Sequence, residues 1–282
     1  MSAIHIIADS TCDLSPEQVE RYHIQIVPLY VTINGKSYQD SIEIKAEDIF
    51  RHVAEGGDLP KTAAIPVGTY TQIFDNALKE HDTVICLTIG AKFSSCYQNA
   101  CIAAEGNDRV VVVDSANLST GFGHVVLQAA QKAAEGLSHT AIAAYLRESI
   151  ISKVDASFII DRLDYLHKGG RCSTVAALGA NMLKLKPCIV VQDGEMRVAK
   201  KYRGNFTACV TQYVNDRLSD PDALQKDLIF ITHTRAEQGA VDAARAAICD
   251  HAAFDSIVET VAGCTISSHC GPNTLGVLFI RK

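Results

Sequence analysis

No apolar run in this 282-residue chain approaches the roughly 18 residues that a membrane-spanning helix needs, so no membrane insertion is expected. The N-terminus, Met1 to Asp9, lacks a basic stretch followed by a long apolar one. That argues against a secretory signal and makes the cytosol the expected location. No two of the ten cysteines stand in C-x-x-C spacing, which argues against a zinc ribbon or a thioredoxin-like pair. In a reducing compartment they are expected to stay thiols, most of them as small buried hydrophobes. Tryptophan is absent too, which by itself decides nothing. Positive charge is not in excess: 26 Lys and Arg stand against 32 Asp and Glu, so the chain offers no electrostatic footprint for nucleic acid.

Several catalytic signatures are also missing. There is no G-x-S-x-G elbow, no H-E-x-x-H and no EF-hand loop. Asn34-Gly35-Lys36-Ser37 imitates the end of a P-loop, but the upstream glycine is missing and the segment reads as a hairpin turn. Gly121-Phe122-Gly123 lacks the third glycine of a dinucleotide fingerprint, since position 126 is Val. Geometry at the start of a helix explains it better. His269 and Cys270 are adjacent, and adjacent side chains point apart, so a nucleophile-base pair is a poor reading.

What is present is a pattern. Hydrophobic residues make up 48% and charged residues 21%, enough apolar material for a real core. Ile4 to Ala8 reads as a buried strand. Ser15-Pro16-Glu17-Gln18 then opens a helix, with Ser15 as N-cap and Gln18 closing a capping box. Ile24 to Ile33 reads as one strand, ended by the Asn34-Gly35 turn. Glu47 to Ala54 and Tyr70 to Leu78 read as helices. The β-branched runs Val84 to Ile89 and Val110 to Val113 read as buried parallel strands. Helical patterns follow at Tyr97 to Ala104 and Val125 to Ala134. This alternation predicts a doubly wound, mostly parallel sheet in an N-terminal lobe, residues 1–155.

A helix from Thr140 to Ile151 is expected to lead out of that lobe. The remainder, residues 156–282, reads as a mixed α/β sheet. Phe158-Ile159-Ile160 is followed by a short helix ending at Gly169-Gly170. Ile189 to Gln192 and Met196 to Lys200 flank a second hairpin signal, Asp193-Gly194. Leu228 to Thr232 is a strand, Ala236 to Ile248 a helix and Leu275 to Ile280 a last strand.

Six polar patches fall where strands are expected to end, the usual ligand position in an open α/β sheet. They are Asp9-Ser10-Thr11-Cys12-Asp13, Pro60-Lys61-Thr62 before a helix, Lys92 to Tyr97, Asp114-Ser115, His167 to Arg171 and Ser268 to Thr274. For Asp9, Asp13 and Ser115 the favoured reading is helix capping. Ser94-Ser95 at a helix N-terminus is equally a cap or a small anion site.

Taken together and in order, these segments resemble the DegV family over almost the whole chain. The similarity is carried by Ile6-Ile7-Ala8-Asp9-Ser10-Thr11-Cys12-Asp13-Leu14, by Leu163-Asp164-Tyr165-Leu166-His167-Lys168-Gly169-Gly170-Arg171, by Lys201-Tyr202-Arg203-Gly204 and by His269-Cys270-Gly271-Pro272. The resemblance implies two α/β lobes with a long-chain fatty acid buried between them. It implies that Thr62, Ser94 and His269 bind the ligand headgroup; Ser95, the other half of the possible anion site at Ser94-Ser95, is expected to join them. It implies no cofactor, no metal and no catalytic residue. It also implies a separate ATP-dependent fatty acid kinase as partner, which makes an acyl phosphate that feeds phospholipid synthesis. Arg171 and Arg203 match positions tied to that partner or to the phosphate.

The chain departs from the family pattern in three places. Ala63-Ala64-Ile65-Pro66 follows Thr62 where the family has two polar residues and an earlier proline. Ser95 and Cys96 replace Gly and Thr, and Asn273 replaces the last Gly of the His motif. Two other functions stay open: a regulatory or structural lipid binder without a kinase, and an enzyme acting on a small anion in the cleft.

Overall fold

The computed structural model describes residues 4–172 and 185–282. In its first half the strands are β1 (Ile4–Asp9), β2 (Gln25–Val27), β3 (Tyr30–Ile33), β4 (Lys36–Gln39), β5 (Lys61–Ala63), β6 (Thr83–Thr88) and β7 (Val110–Asp114). Four of them form a wholly parallel sheet in the order β2-β1-β6-β7. The helices are α1 (Pro16–Arg21), α2 (Ala46–Ala54), α3 (Val67–Glu80), α4 (Cys96–Ala103), α5 (Ser119–Ala134) and α6 (His139–Tyr145).

Side chains alternate across a strand, and both faces of this sheet are covered. Ile7, Val84, Cys86 and Val112 pack with Tyr70 and Phe74 of α3 and Ala100 of α4. Ile6, Ala8, Ile85, Leu87 and Val113 pack on the other face with Phe122 and Val125 of α5 and Ile142 of α6. The sheet is therefore doubly wound. α1 starts as its sequence demands: Ser15 Oγ accepts from Gln18 N, and the Gln18 side chain accepts from Ser15 N.

One expected strand is two. The Ile24–Ile33 run breaks at Pro28, which has no N–H to give to a ladder. β2 stays in the parallel sheet, while β3 joins a separate antiparallel sheet, β4-β3-β5. The Asn34-Gly35 turn joins β3 to β4, with both residues at positive φ. The Thr140–Ile151 helix is also subdivided: after α6 the chain takes a π turn at Leu146–Ile150 and a 3-10 turn at Ile151–Lys153.

The second half contains β8 (Val154–Ile159), α7 (Leu163–Gly169), β9 (Leu185–Gln192), β10 (Glu195–Arg203), α8 (Phe206–Arg217), β11 (Leu224–His233), α9 (Gln238–His251), β12 (Ile257–Val261), α10 (Cys264–Cys270) and β13 (Leu275–Arg281). Six strands form one mixed sheet, β10-β9-β8-β13-β11-β12. Only the β11 and β12 pair is parallel. Three of these elements, α8, β12 and α10, lie outside the segments expected from sequence. α8 and α9 cover one face of the sheet.

α5 lies against both large sheets. Its Phe122 and Val125 share a core with Ala156, Phe230 and Leu278 of the mixed sheet. The glycines flanking Phe122 permit this approach. A Cβ on Gly121 would stand 2.9 Å from Ala156 Cβ, and one on Gly123 would stand 2.7 Å from Cys12 O. The G-x-G of the sequence is thus a close-packing device inside a helix. Among the described residues no helix is long and apolar enough to cross a membrane.

Candidate functional site

Thr62 lies in a strand that precedes helix α3. It is the middle residue of β5, opposite Val31 of β3. From this edge it meets α10: Thr62 Oγ1 is 2.8 Å from His269 Nε2, although 207 residues separate them in sequence. His269 in turn sits in the last turn of α10.

Ser94 and Ser95 occupy the turn between β6 and α4. Ser94 Oγ accepts from Cys96 N at 3.3 Å and its hydroxyl lies 3.3 Å from Cys96 Sγ. Cys96 is fully buried, so the thiol holds the Ser94 side chain from behind. Thr62, Ser94, Ser95, Arg171 and His269 all line one cavity of about 380 Å³. Most of its remaining wall is apolar, including Leu29, Phe93, Leu118, Leu166, Met196 and Ile266. Arg203 is not on this wall; it is exposed at the end of β10.

One wall residue escaped the sequence reading. Thr265 lines the cavity, and its buried Oγ1 has no hydrogen-bond partner. It stands four residues before His269, on the same face of α10. That spacing would have revealed it had α10 been expected as a helix. Ala63 and Ala64, which depart from the family pattern, line the same cavity, while Ile65 is fully buried.

α10 is held from its N-terminal side. Asp40 Oδ1 accepts from Cys264 N at 2.7 Å and Oδ2 from Thr265 N at 3.0 Å. Asp13 Oδ1 accepts from Gly263 N at 2.8 Å, and its other oxygen accepts from Ser119 Oγ. Asp13 is therefore a long-range anchor rather than a local cap. Asp9 does cap locally, accepting from Thr11 N, and it also accepts from Ile89 N at 2.7 Å. Burial pushes the Asp13 carboxyl up to about 8, against the opposing pull of the Gly263 N–H and the Ser119 hydroxyl. Burial likewise raises Asp9 to about 6.

The His269 ring moves the other way. Burial first, then the nearby Arg171 guanidinium, bring it down to about 4, so it is neutral at pH 7. Its Nδ1 is buried and has no protein partner. Nδ1 lies against Gly169: a Cβ there would stand 2.5 Å away. Asn273, where the family has glycine, adopts φ +60° and bonds Asp161 Oδ2 and Glu237 N. Asparagine tolerates that left-handed conformation, so the departure fits the backbone. Among the described residues no group of three or more His, Cys, Asp or Glu could hold a metal ion.

The site is therefore a half-apolar cavity with hydroxyls and a neutral imidazole collected at one place. A family model described as an uncharacterised protein of the DegV family matches residues 3–282. The chain belongs to the DegV family. A DegV domain-containing protein of Caldanaerobacter subterraneus subsp. tengcongensis is 34% identical, and one of Clostridium acetobutylicum is 32% identical, each over 100% of both chains. A DegV family protein from Thermus thermophilus, whose structure is described as showing fatty acid binding, superposes with a TM-score of 0.91 at 28% identity, covering 99% of this chain and 100% of that one. A DegV lipid-binding protein from Thermotoga maritima gives 0.86 at 26% identity, covering 99% and 98%.

Proposed function

We propose that this protein is a cytosolic carrier. It holds a long-chain fatty acid between a lobe of residues 1–155 and a lobe of residues 156–282. It presents the carboxylate to a separate ATP-dependent fatty acid kinase for acyl-phosphate formation. The observation that carries the reading is the chemistry of the 380 Å³ cavity: apolar walls with Thr62, Ser94, Ser95 and His269 grouped on them. The Thermus and Thermotoga relatives, which bind a fatty acid and a lipid, support it.

The energetics fit such a ligand. Each buried methylene contributes about 0.8 kcal/mol, so a sixteen-carbon tail offers roughly 11–12 kcal/mol gross. Association consumes about 4–15 kcal/mol of that, which makes the headgroup decisive. A carboxylate cannot be buried without partners. With the neutral His269 ring donating its one N–H proton from Nε2 to Thr62 Oγ1, the Thr62 hydroxyl is free to donate to the carboxylate, as is that of Ser94, and the Ser95 hydroxyl stands beside them. Thr265 adds a further unpaired hydroxyl on the same wall. In this reading Arg171 and Arg203 contact the partner or the phosphate, and the protein has no catalytic residue of its own.

Native mass spectrometry of purified protein, with identification of the released small molecule, tests the ligand. A stoichiometric fatty acid is expected. Protein that is empty and also fails to take up oleate or palmitate would sink the reading. Thr62→Ala and Ser94→Ala should each weaken oleate binding about tenfold or more, because bonds to a charged group are worth about 1.5–3 kcal/mol. Arg203→Ala should leave affinity unchanged and slow phosphorylation by a kinase. Bound acid that no kinase phosphorylates would favour the regulatory lipid binder instead.

A further inference from the structure

The hydroxyl side chains of α10 do not share one fate. Ser267 Oγ donates to Ala262 O at 3.2 Å, and Ser268 Oγ donates to Cys264 O at 2.8 Å. Thr274, just beyond the helix, donates likewise to Cys270 O at 2.9 Å. Each spends its proton on a carbonyl four or five residues back, a common way to bury a hydroxyl. Thr265 does not. The carbonyl four residues before it belongs to Val261 of β12, outside the helix. Its Oγ1 has no partner among the described residues, although the residue is only 4% exposed. Its backbone, in contrast, is fixed, since Thr265 N donates to Asp40 Oδ2 at 3.0 Å.

Thr265 and His269 stand four residues apart, one above the other on α10, and both line the cavity. Ile266 and Cys270 form the neighbouring row and line it too. The helix thus turns one polar row and one apolar row to the same space. At 1.5 Å of rise per residue the two polar side chains are about 6 Å apart. An extended chain advances a little over ~1 Å per bond, because three backbone bonds span about 3.3–3.6 Å. A carboxylate held beside His269 therefore brings Thr265 alongside the chain about five bonds from the carboxyl carbon. A methylene at that point leaves the threonine hydroxyl buried and unpaired, which is costly. A hydroxyl at that point removes the cost, since either oxygen can donate to the other. The wall also leaves width for such a branch, because Ala63 and Ala64 each bring only a methyl group to it.

We propose that Thr265 is a specificity-determining residue, and that the cavity selects acyl chains oxygenated near the head: fatty acids with a hydroxyl about five bonds from the carboxyl carbon. The inference rests on the fatty-acid reading above and narrows its ligand class. Thr62, Ser94, Ser95 and His269 meet the carboxylate; Thr265 meets the second oxygen. Its hydroxyl is what separates this ligand from a plain alkyl chain, which the apolar row of Ile266 and Cys270 receives equally well.

The test titrates three probes by calorimetry into delipidated full-length protein: palmitate, 6-hydroxypalmitate and 10-hydroxypalmitate. The two hydroxy acids are isomers of equal polarity, and only the first brings its oxygen within reach of Thr265. Wild type should bind 6-hydroxypalmitate about tenfold or more tighter than the 10-isomer, because one of them pairs its buried hydroxyl and the other does not. Thr265→Val keeps the shape and removes the oxygen. It should abolish that preference and bind palmitate severalfold more tightly, since no hydroxyl is then left unpaired against the chain. Thr265→Ser, which keeps an oxygen, should retain the preference, so a loss in the valine variant cannot be put down to misfolding. Equal affinity of wild type for the two isomers overturns the proposal, as does a preference that survives in Thr265→Val. A uniform loss for all three acids in Thr265→Val also overturns it, and makes Thr265 a carboxylate donor. Wild type that takes up none of the three acids overturns the fatty-acid reading as well, whereas palmitate bound without any preference between the isomers leaves that reading standing.

Discussion

At the N-terminal side of α10 three successive backbone N–H groups, those of Gly263, Cys264 and Thr265, each meet a carboxylate oxygen of Asp13 or Asp40. At its C-terminal side, one seven-residue helix away, His269 keeps an unpaired Nδ1 beside Arg171, which lines the same cavity and enters no ion pair among the described residues. The backbone N–H groups at the first end are all satisfied, while the helix's partnerless side-chain atoms, Thr265 Oγ1 and His269 Nδ1, belong to residues that line the cavity. The difference separates two jobs. Buried groups that must hold the helix are paired by protein; groups that must meet something else are left unpaired. A buried donor or acceptor without a partner is costly, so the open end is where the fold gives up stability for binding.

The largest effect should come from breaking the closed end. Asp40 is 1% exposed and accepts four hydrogen bonds, from Cys264 N, Thr265 N, Ser10 Oγ and Ser41 Oγ. Asp40→Ala orphans two buried backbone donors, each worth about 1–3 kcal/mol. A loss of about 3 kcal/mol or more is expected in urea unfolding. A loss under about 1 kcal/mol would mean the anchor is not what holds α10.

The closed end also has a pH signature. Asp13 is raised in the folded state, so its contribution is full below the unfolded carboxyl value near 4 and is lost as pH rises through about 8. Asp9 behaves alike but is spent by about 6. His269 and His124, both lowered to about 4, contribute above about 6.5 and lose that as pH falls through 4. Between pH 6.5 and 8, then, Asp13 is the dominant member of this group. Wild-type stability should fall across that window with a slope of at most about 1.4 kcal/mol per pH unit for one proton. Asp13→Asn, which keeps an acceptor for Gly263 N, should flatten it. Equal slopes in both proteins would show that Asp13 is already ionised when folded.

The comparison also explains what could be read from sequence. The parallel strands were legible because β-branched runs such as Val110 to Val113 have few alternatives, and the first helix because Ser15 and Gln18 satisfy each other locally. Asn34-Gly35 and Asp193-Gly194 marked hairpins for the same local reason. α10 was not legible. Cys264-Thr265-Ile266-Ser267-Ser268-His269-Cys270 is rich in β-branched and hydroxyl residues, which favour helix weakly. Its support comes from Asp40 and Asp13, 224 and 250 residues away. β5, three residues long, exists because β3 is there to pair with it. Thr62 and His269 could be named from the family pattern, but their 2.8 Å contact depends on these two illegible elements. Thr265 was missed with them.

The smallest expected effect sharpens the open end without truncating any ligand contact. Gly169 ends α7 at a backbone angle outside the left-handed region, so alanine is allowed there by conformation and is the better helix former. What alanine lacks is room, since its Cβ would stand 2.5 Å from His269 Nδ1 and 3.5 Å from the ring carbons Cε1 and Cγ. The imidazole must move, and a push along the outward axis of Nδ1 drives Nε2 against Thr62 and spoils their 2.8 Å contact. Gly169→Ala should therefore weaken fatty-acid binding about tenfold, the value of one bond to a charged group, while unfolding stability changes by less than about 1 kcal/mol. Combined with His269→Ala the two losses should not add, because the second change removes the atom the first one displaces. Additive losses would mean that Gly169 acts on the cavity by another route, and that the position of the His269 ring is set by α10 alone.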